Sequence, residues 1–158
     1  MSENFSELTF DQIDIGLTKE FDVIITQSLV DDFAKISGDY SPIHMNEEFA
    51  KLTKFGKKIV HGMLLASLLS RMVGMYLPGK YALYSSQTLE FHNPCFVGDK
   101  ITVSSIVNDK SESTKIIKIV SKIKNEKIDI LLYGEGRIIV RDDRKFWYWN
   151  RYFQYKKI

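Results

Sequence analysis

The chain has 158 residues, 44% of them apolar or aromatic, which is enough for one compact domain with a full core and too few for a second of ordinary size. Its 22 basic residues nearly cancel 20 acidic ones and leave a formal charge of +2, so overall charge does not point to nucleic acid or an anionic membrane as a partner. Cys95 is the single cysteine, which excludes an intrachain disulfide and leaves the cytoplasm as the default compartment.

Glu3, Glu7 and Asp11 precede any apolar run, the reverse of a basic signal-peptide start. The most apolar stretch, Met63 to Leu77, is interrupted by Arg71 and falls short of the roughly 20 residues a membrane span needs, so a soluble protein without stable membrane insertion is expected. Phe21 to Thr26 is rich in β-branched residues and predicts a first strand, followed by a helix over about Ser28 to Ile36. Ser37 to Pro42 is punctuated by residues that break regular structure and reads as an ordered loop. A short helix is expected around Glu47 to Leu52, then a basic turn from Lys54 to Lys58.

A long apolar helix opens near His61 and Gly62 and should stop at Pro78 and Gly79. Along it Gly62, Ala66, Ser70 and Gly74 recur every four residues as a stripe of small side chains that lets backbone, ligand or sheet approach closely. Beyond Gly79 the pattern turns to strands: Tyr81 to Phe91, Lys100 to Val107, Lys115 to Lys124 and Lys127 to Val140, with turns at Gly98-Asp99 and Asn125-Glu126. Lys115 to Lys124 alternates clearly enough to predict one wet and one dry face. A long central helix followed by an antiparallel meander is an α+β architecture in which the sheet wraps the helix.

Asp39 and His44 lie five positions apart, with Pro42 stiffening the chain between them. With ordinary carboxylate and imidazole chemistry, such a pair can take a proton from water and pass one on. Gly62, at the first turn of an apolar helix, would expose a backbone N–H at the positive end of the helix dipole, suited to an oxygen on which negative charge develops. Each residue also has a plainer reading. Asp39 alone fits a turn, His44 alone fits a satisfied structural imidazole, His61 is explained by capping and packing, and His92 by a loop beside Asn93 and Pro94. Arg71 reads as a solvated face, with contact to an anionic phosphate as the alternative.

Three separated segments, Ile36 to His44 (Ile-Ser-Gly-Asp-Tyr-Ser-Pro-Ile-His), Ile59 to Ser67 (Ile-Val-His-Gly-Met-Leu-Leu-Ala-Ser) and Phe91 to Asp99 (Phe-His-Asn-Pro-Cys-Phe-Val-Gly-Asp), resemble in order the MaoC-like (R)-specific enoyl-CoA hydratases. The resemblance covers about Phe21 to Val140. It implies a hot-dog fold, commonly dimeric, in which Asp39 and His44 activate water, the Gly62 N–H holds the thioester oxygen and Ser70 supplies a small polar group near the site. It further implies a trans-2-enoyl thioester of CoA or acyl carrier protein as substrate and an (R)-3-hydroxyacyl thioester as product, with neither metal nor cofactor. Ser41 stands where the family commonly has Asn, which alters one orienting hydrogen bond.

The expected organisation is a single domain over 1–141 with an aromatic and basic extension over 142–158, packed on the body or on a second subunit, with a docking surface for an acidic partner such as acyl carrier protein or an anionic membrane surface as the alternative. Two rival readings within the fold are an acyl thioesterase and a non-catalytic acyl-thioester-binding protein. A dehydratase of the fatty-acid-synthesis type would carry an acidic residue on the central helix, and Gly62 to Leu77 has none.

Overall fold

Period-two burial in the second half of the chain builds one curved sheet around one helix. The computed structural model describes residues 4–127 and 129–142. Its strands are β1 (Thr18–Ile24), β2 (Ala82–Gln87), β3 (Glu90–Phe91), β4 (Lys100–Ser111), β5 (Ile116–Asn125) and β6 (Ile130–Val140). They pair antiparallel in the order β1-β4-β5-β6-β2, with β3 also on β6. Four α-helices are described: α1 (Gln27–Ser37), α2 (Pro42–Met45), α3 (Glu47–Lys51) and α4 (Gly62–Arg71).

The expected alternation is clearest in β5, where Ile117, Ile119, Ser121 and Ile123 are buried and the intervening residues are half-buried. That dry face continues through Ile101, Val103 and Val107 of β4 and Leu132, Ile138 and Val140 of β6, against Leu64, Leu65 and Leu69 of α4. Two serines sit on the dry face and satisfy each other across β4 and β5, Ser105 Oγ to Ser121 Oγ at 2.7 Å. Irregularities at Val107/Asp109, Ile123/Lys124 and Tyr84/Ser86 add the bend a sheet needs to close over a helix.

Besides shifted bounds in β1 (Thr18–Ile24, not Phe21 to Thr26) and β4 (Lys100–Ser111, not Lys100 to Val107), two elements differ from expectation in kind. The apolar helix is α-helical only to Arg71 and continues as a π turn over Met72–Tyr76. Tyr81 to Phe91 is two strands, because the chain crosses β6 closely at Thr88: a Cβ on Gly134 would stand 2.0 Å from the Thr88 carbonyl oxygen, an approach only glycine permits. Arg71 has a partner within the fold. Its guanidinium lies 4.6 Å over the Phe21 ring and donates to the Tyr76 hydroxyl at 3.2 Å. Asp142 accepts a hydrogen bond from the Phe10 N–H at 2.8 Å, while the rest of the expected extension, 143–158, lies outside the described residues. Among the described residues no helix is long and apolar enough to cross a membrane.

Candidate active site

Asp39 is aimed by the way α1 ends. Gly38 adopts a left-handed conformation, φ 74°, and its N–H closes the helix on the Ala34 carbonyl at 2.9 Å. The Ser37 hydroxyl, donating back to the Phe33 carbonyl at 2.6 Å, accepts from the Asp39 N–H at 3.1 Å. The Ser41 N–H donates to Asp39 Oδ1 at 3.1 Å, an Asx turn that holds one carboxylate oxygen and leaves the other to face its neighbours.

His44 sits in α2 and not on a loop: Pro42, with its fixed φ and no N–H to satisfy, starts a single helical turn. The His44 N–H donates to the Ser41 carbonyl at 2.9 Å. His44 Nδ1 lies 2.8 Å from the Ile59 carbonyl oxygen. A carbonyl only accepts, so Nδ1 carries a proton and, in the neutral ring, Nε2 presents a bare lone pair.

His61 caps nothing with its side chain and is 1% exposed. Its Nε2 donates to the Asp39 backbone carbonyl at 2.9 Å and lies 4.0 Å from Asp39 Oδ2. Its ring is 4.0 Å from the His44 ring, centroid to centroid, and 5.1 Å from that of Phe33. One ligand-type atom from each of Asp39, His44 and His61 lies within 4.8 Å of the others. A cation reaching His61 through Nε2 would need that nitrogen to give up its proton and its bond to the Asp39 carbonyl, because a ligating nitrogen needs a free lone pair.

Beside this group, α4 starts at Gly62 with no side-chain cap, so the first N–H groups of the helix remain for another acceptor. His44 and Gly62 line one cavity of about 600 Å³ together with Leu65, Phe91, His92 and Leu131. The Phe91 ring lies directly over Gly62: a Cβ there would stand 2.8 Å from its Cε1. Cys95, also in the lining, is buried, and burial with the Asp99 carboxylate nearby pushes its thiol up to about 12. It is a neutral wall group and not a nucleophile.

The profile of the MaoC like domain matches residues 11–127, most of the chain. The chain belongs to the MaoC-like domain family. It is 41% identical over 104 residues to an (R)-specific enoyl-CoA hydratase of Aeromonas caviae, covering 66% of this chain and 78% of that protein. It is also 41% identical over 107 residues to a 3-hydroxybutyryl-CoA dehydratase of Methylorubrum extorquens, covering 65% of this chain and 68% of that one. Among solved structures, the unliganded R-hydratase PhaJ1 of Pseudomonas aeruginosa superposes with a TM-score of 0.82 at 28% identity, covering 87% of this chain and 88% of its own. The A. caviae (R)-hydratase superposes with a TM-score of 0.78 at 34% identity over 81% of this chain and 97% of its own. The α+β hot-dog fold is thereby established.

In this MaoC-like domain the sequence-derived candidates fall into two groups. His44 and Gly62 line the cavity, and Asp39, which is not among its lining residues, has a carboxylate oxygen within 4.8 Å of ring nitrogens of His44 and His61. Ser41 contributes through its backbone, its N–H on Asp39 and its carbonyl on His44. Ser70 lies two turns along α4 on its exposed face, and is not among the described residues that line the cavity. Sequence reasoning left out two residues at the site. From the sequence alone capping and packing explain His61, and Phe91 has no role; the signal for both is their place inside the matching segments. His92, read as a loop residue, lines the cavity with Nε2 3.4 Å from a Glu90 carboxylate oxygen.

Proposed function

We propose that this chain is a hydro-lyase that interconverts trans-2-enoyl and (R)-3-hydroxyacyl thioesters, with Asp39 and His44 as its acid-base pair and the Gly62 N–H as the oxyanion donor. The observation that carries the reading is an imidazole and an uncapped helix start on one cavity, with a carboxylate oxygen within 4.8 Å of that imidazole. In hydration the water oxygen bonds to the β-carbon while the pair takes up a water proton. The π electrons move toward the thioester oxygen, where the Gly62 N–H and the helix dipole meet the growing charge. A proton then goes to the α-carbon. No electrons leave the substrate, so the step needs no redox partner. The (R) configuration follows the relatives named for it.

The substrate is an acyl thioester of CoA or of acyl carrier protein, as the names of the relatives allow both carriers. The proposed assembly is a cytoplasmic homodimer. In its support, among the described residues β2 pairs only with β6, and Met63 of α4 and Leu83 of β2 are exposed apolar groups. Loss of the conjugated-enoyl absorbance of crotonyl-CoA tests the activity. Asp39→Asn and His44→Ala each lose about 10²- to 10⁴-fold in kcat, the usual worth of a general acid-base group. Wild-type rates in both variants refute the assignment.

A further inference from the structure

The buried imidazole of His61 has no part in the proton transfers above, and its chemistry is costly for a residue that only fills space. Its Nδ1 is buried with no hydrogen-bond partner among the described residues, while Nε2 is committed to the Asp39 carbonyl at 2.9 Å. An orphaned buried acceptor is unfavourable by at least as much as one neutral hydrogen bond is favourable. A phenyl ring of similar shape would pack between Phe33 and His44 without that penalty. In stability alone, then, this imidazole gains nothing over an apolar ring.

What it does gain is geometry. The Nε2–H tether joins residues that are 22 positions apart and fixes the carbonyl of the residue whose carboxylate handles water. The same ring lies flat enough against His44, with 31° between planes at 4.0 Å, to form the wall on which that imidazole rests. Both members of the acid-base pair are thus held by one side chain at the entrance to α4, where the proposed oxyanion donor also begins.

We infer that His61 is a positioning residue, which sets the distance between Asp39 and His44 by tethering the Asp39 carbonyl and backing the His44 ring. The inference rests on the proposed hydratase reading and deepens it. It separates stability from turnover, because in folding the loss of this bond is offset by the removal of the orphaned Nδ1, while alignment has no such offset.

Four proteins test it with crotonyl-CoA: wild type, His61→Phe, His61→Gln and Asp39→Asn, with thermal midpoints measured on each. His61→Phe keeps the ring and loses the donor. It is expected to melt at or above the wild-type temperature while kcat falls about 10- to 100-fold, the scale of a small misplacement of reacting groups, with KM within about twofold. His61→Gln, whose Nε2 amide can reach the same carbonyl, is expected to recover most of that loss. The inference is overturned by His61→Phe turning over at the wild-type rate, by its kcat and melting temperature falling together, or by His61→Gln being as slow as His61→Phe. If the wild type hydrates and Asp39→Asn does not, any of these results sinks the role of His61 alone. A wild type that leaves crotonyl-CoA unchanged sinks the hydratase reading itself, and this inference with it.

Discussion

Adding one methyl group at Gly62 should nearly abolish turnover while leaving the fold intact. An alanine Cβ would stand 2.8 Å from Cε1 and 2.9 Å from Cδ1 of Phe91, against about 3.5–4.0 Å for carbons in comfortable contact. The ring must therefore withdraw by roughly 0.7 Å or more. Phe91 is 53% exposed and belongs to a short strand, so it yields, and the strain stays at the low end of the about 1–3 kcal/mol typical of overpacking. Alanine is better than glycine in a helix by up to about 1 kcal/mol, which offsets much of that strain. The melting temperature of Gly62→Ala is accordingly expected within about 4 °C of wild type.

Turnover has no such compensation, because the displaced ring and the methyl group both occupy the approach to the N–H that is to hold the thioester oxygen. A misplacement of about 1 Å at a reacting centre costs about 10²-fold, and kcat/KM on crotonyl-CoA should fall by that order. Phe91→Ala combined with Gly62→Ala should lose less than the product of the single losses, since the second change removes the atoms the first one strikes. Wild-type rates in Gly62→Ala, or losses that multiply without interaction, would refute the reasoning.

Ser105→Ala strands the buried Ser121 hydroxyl and should cost about 1–3 kcal/mol in urea unfolding, whereas the double alanine variant should cost less than the two single ones added together. Above neutrality, stability should decline for a definable reason. Cys95 and Tyr84, with ordinary values of 9.0 and 10.0, are both pushed up to about 12 in the folded protein, mainly by burial. The folded state then holds more protons than the unfolded chain from about pH 9 to 12, so stability is full below that window and falls as pH rises through it. Thermal midpoints should drop across the same range, less steeply in Cys95→Ala and Tyr84→Phe, and an unchanged slope in both would contradict this.

The parts of the fold that follow a period were legible before any coordinates. The dry face of β5, the helix from Gly62 and the break in regular structure after α1 all rest on local rules of alternation, propensity and backbone conformation. The pairing of Asp39 with His44 was legible too, because five residues around a proline leave little freedom. What could not be read was contact across the chain. The bond from His61 to the Asp39 carbonyl spans the exit of α1 and the entry of α4, and no spacing encodes it. Phe91 reaches Gly62 only because β3 pairs with Leu132 and Tyr133 of β6, a register fixed by the whole sheet. The break between β2 and β3 depends on the close pass of Thr88 over Gly134, and Tyr81 to Phe91, with no Gly or Pro to interrupt it, reads as one strand.

The account is tested most directly by incubating the purified protein with crotonyl-CoA and analysing the product on a chiral column. Decay of the conjugated absorbance with formation of (R)-3-hydroxybutyryl-CoA and no free thiol is the expected result. Persistence of the double bond, release of CoA thiol, or the (S) product would contradict it.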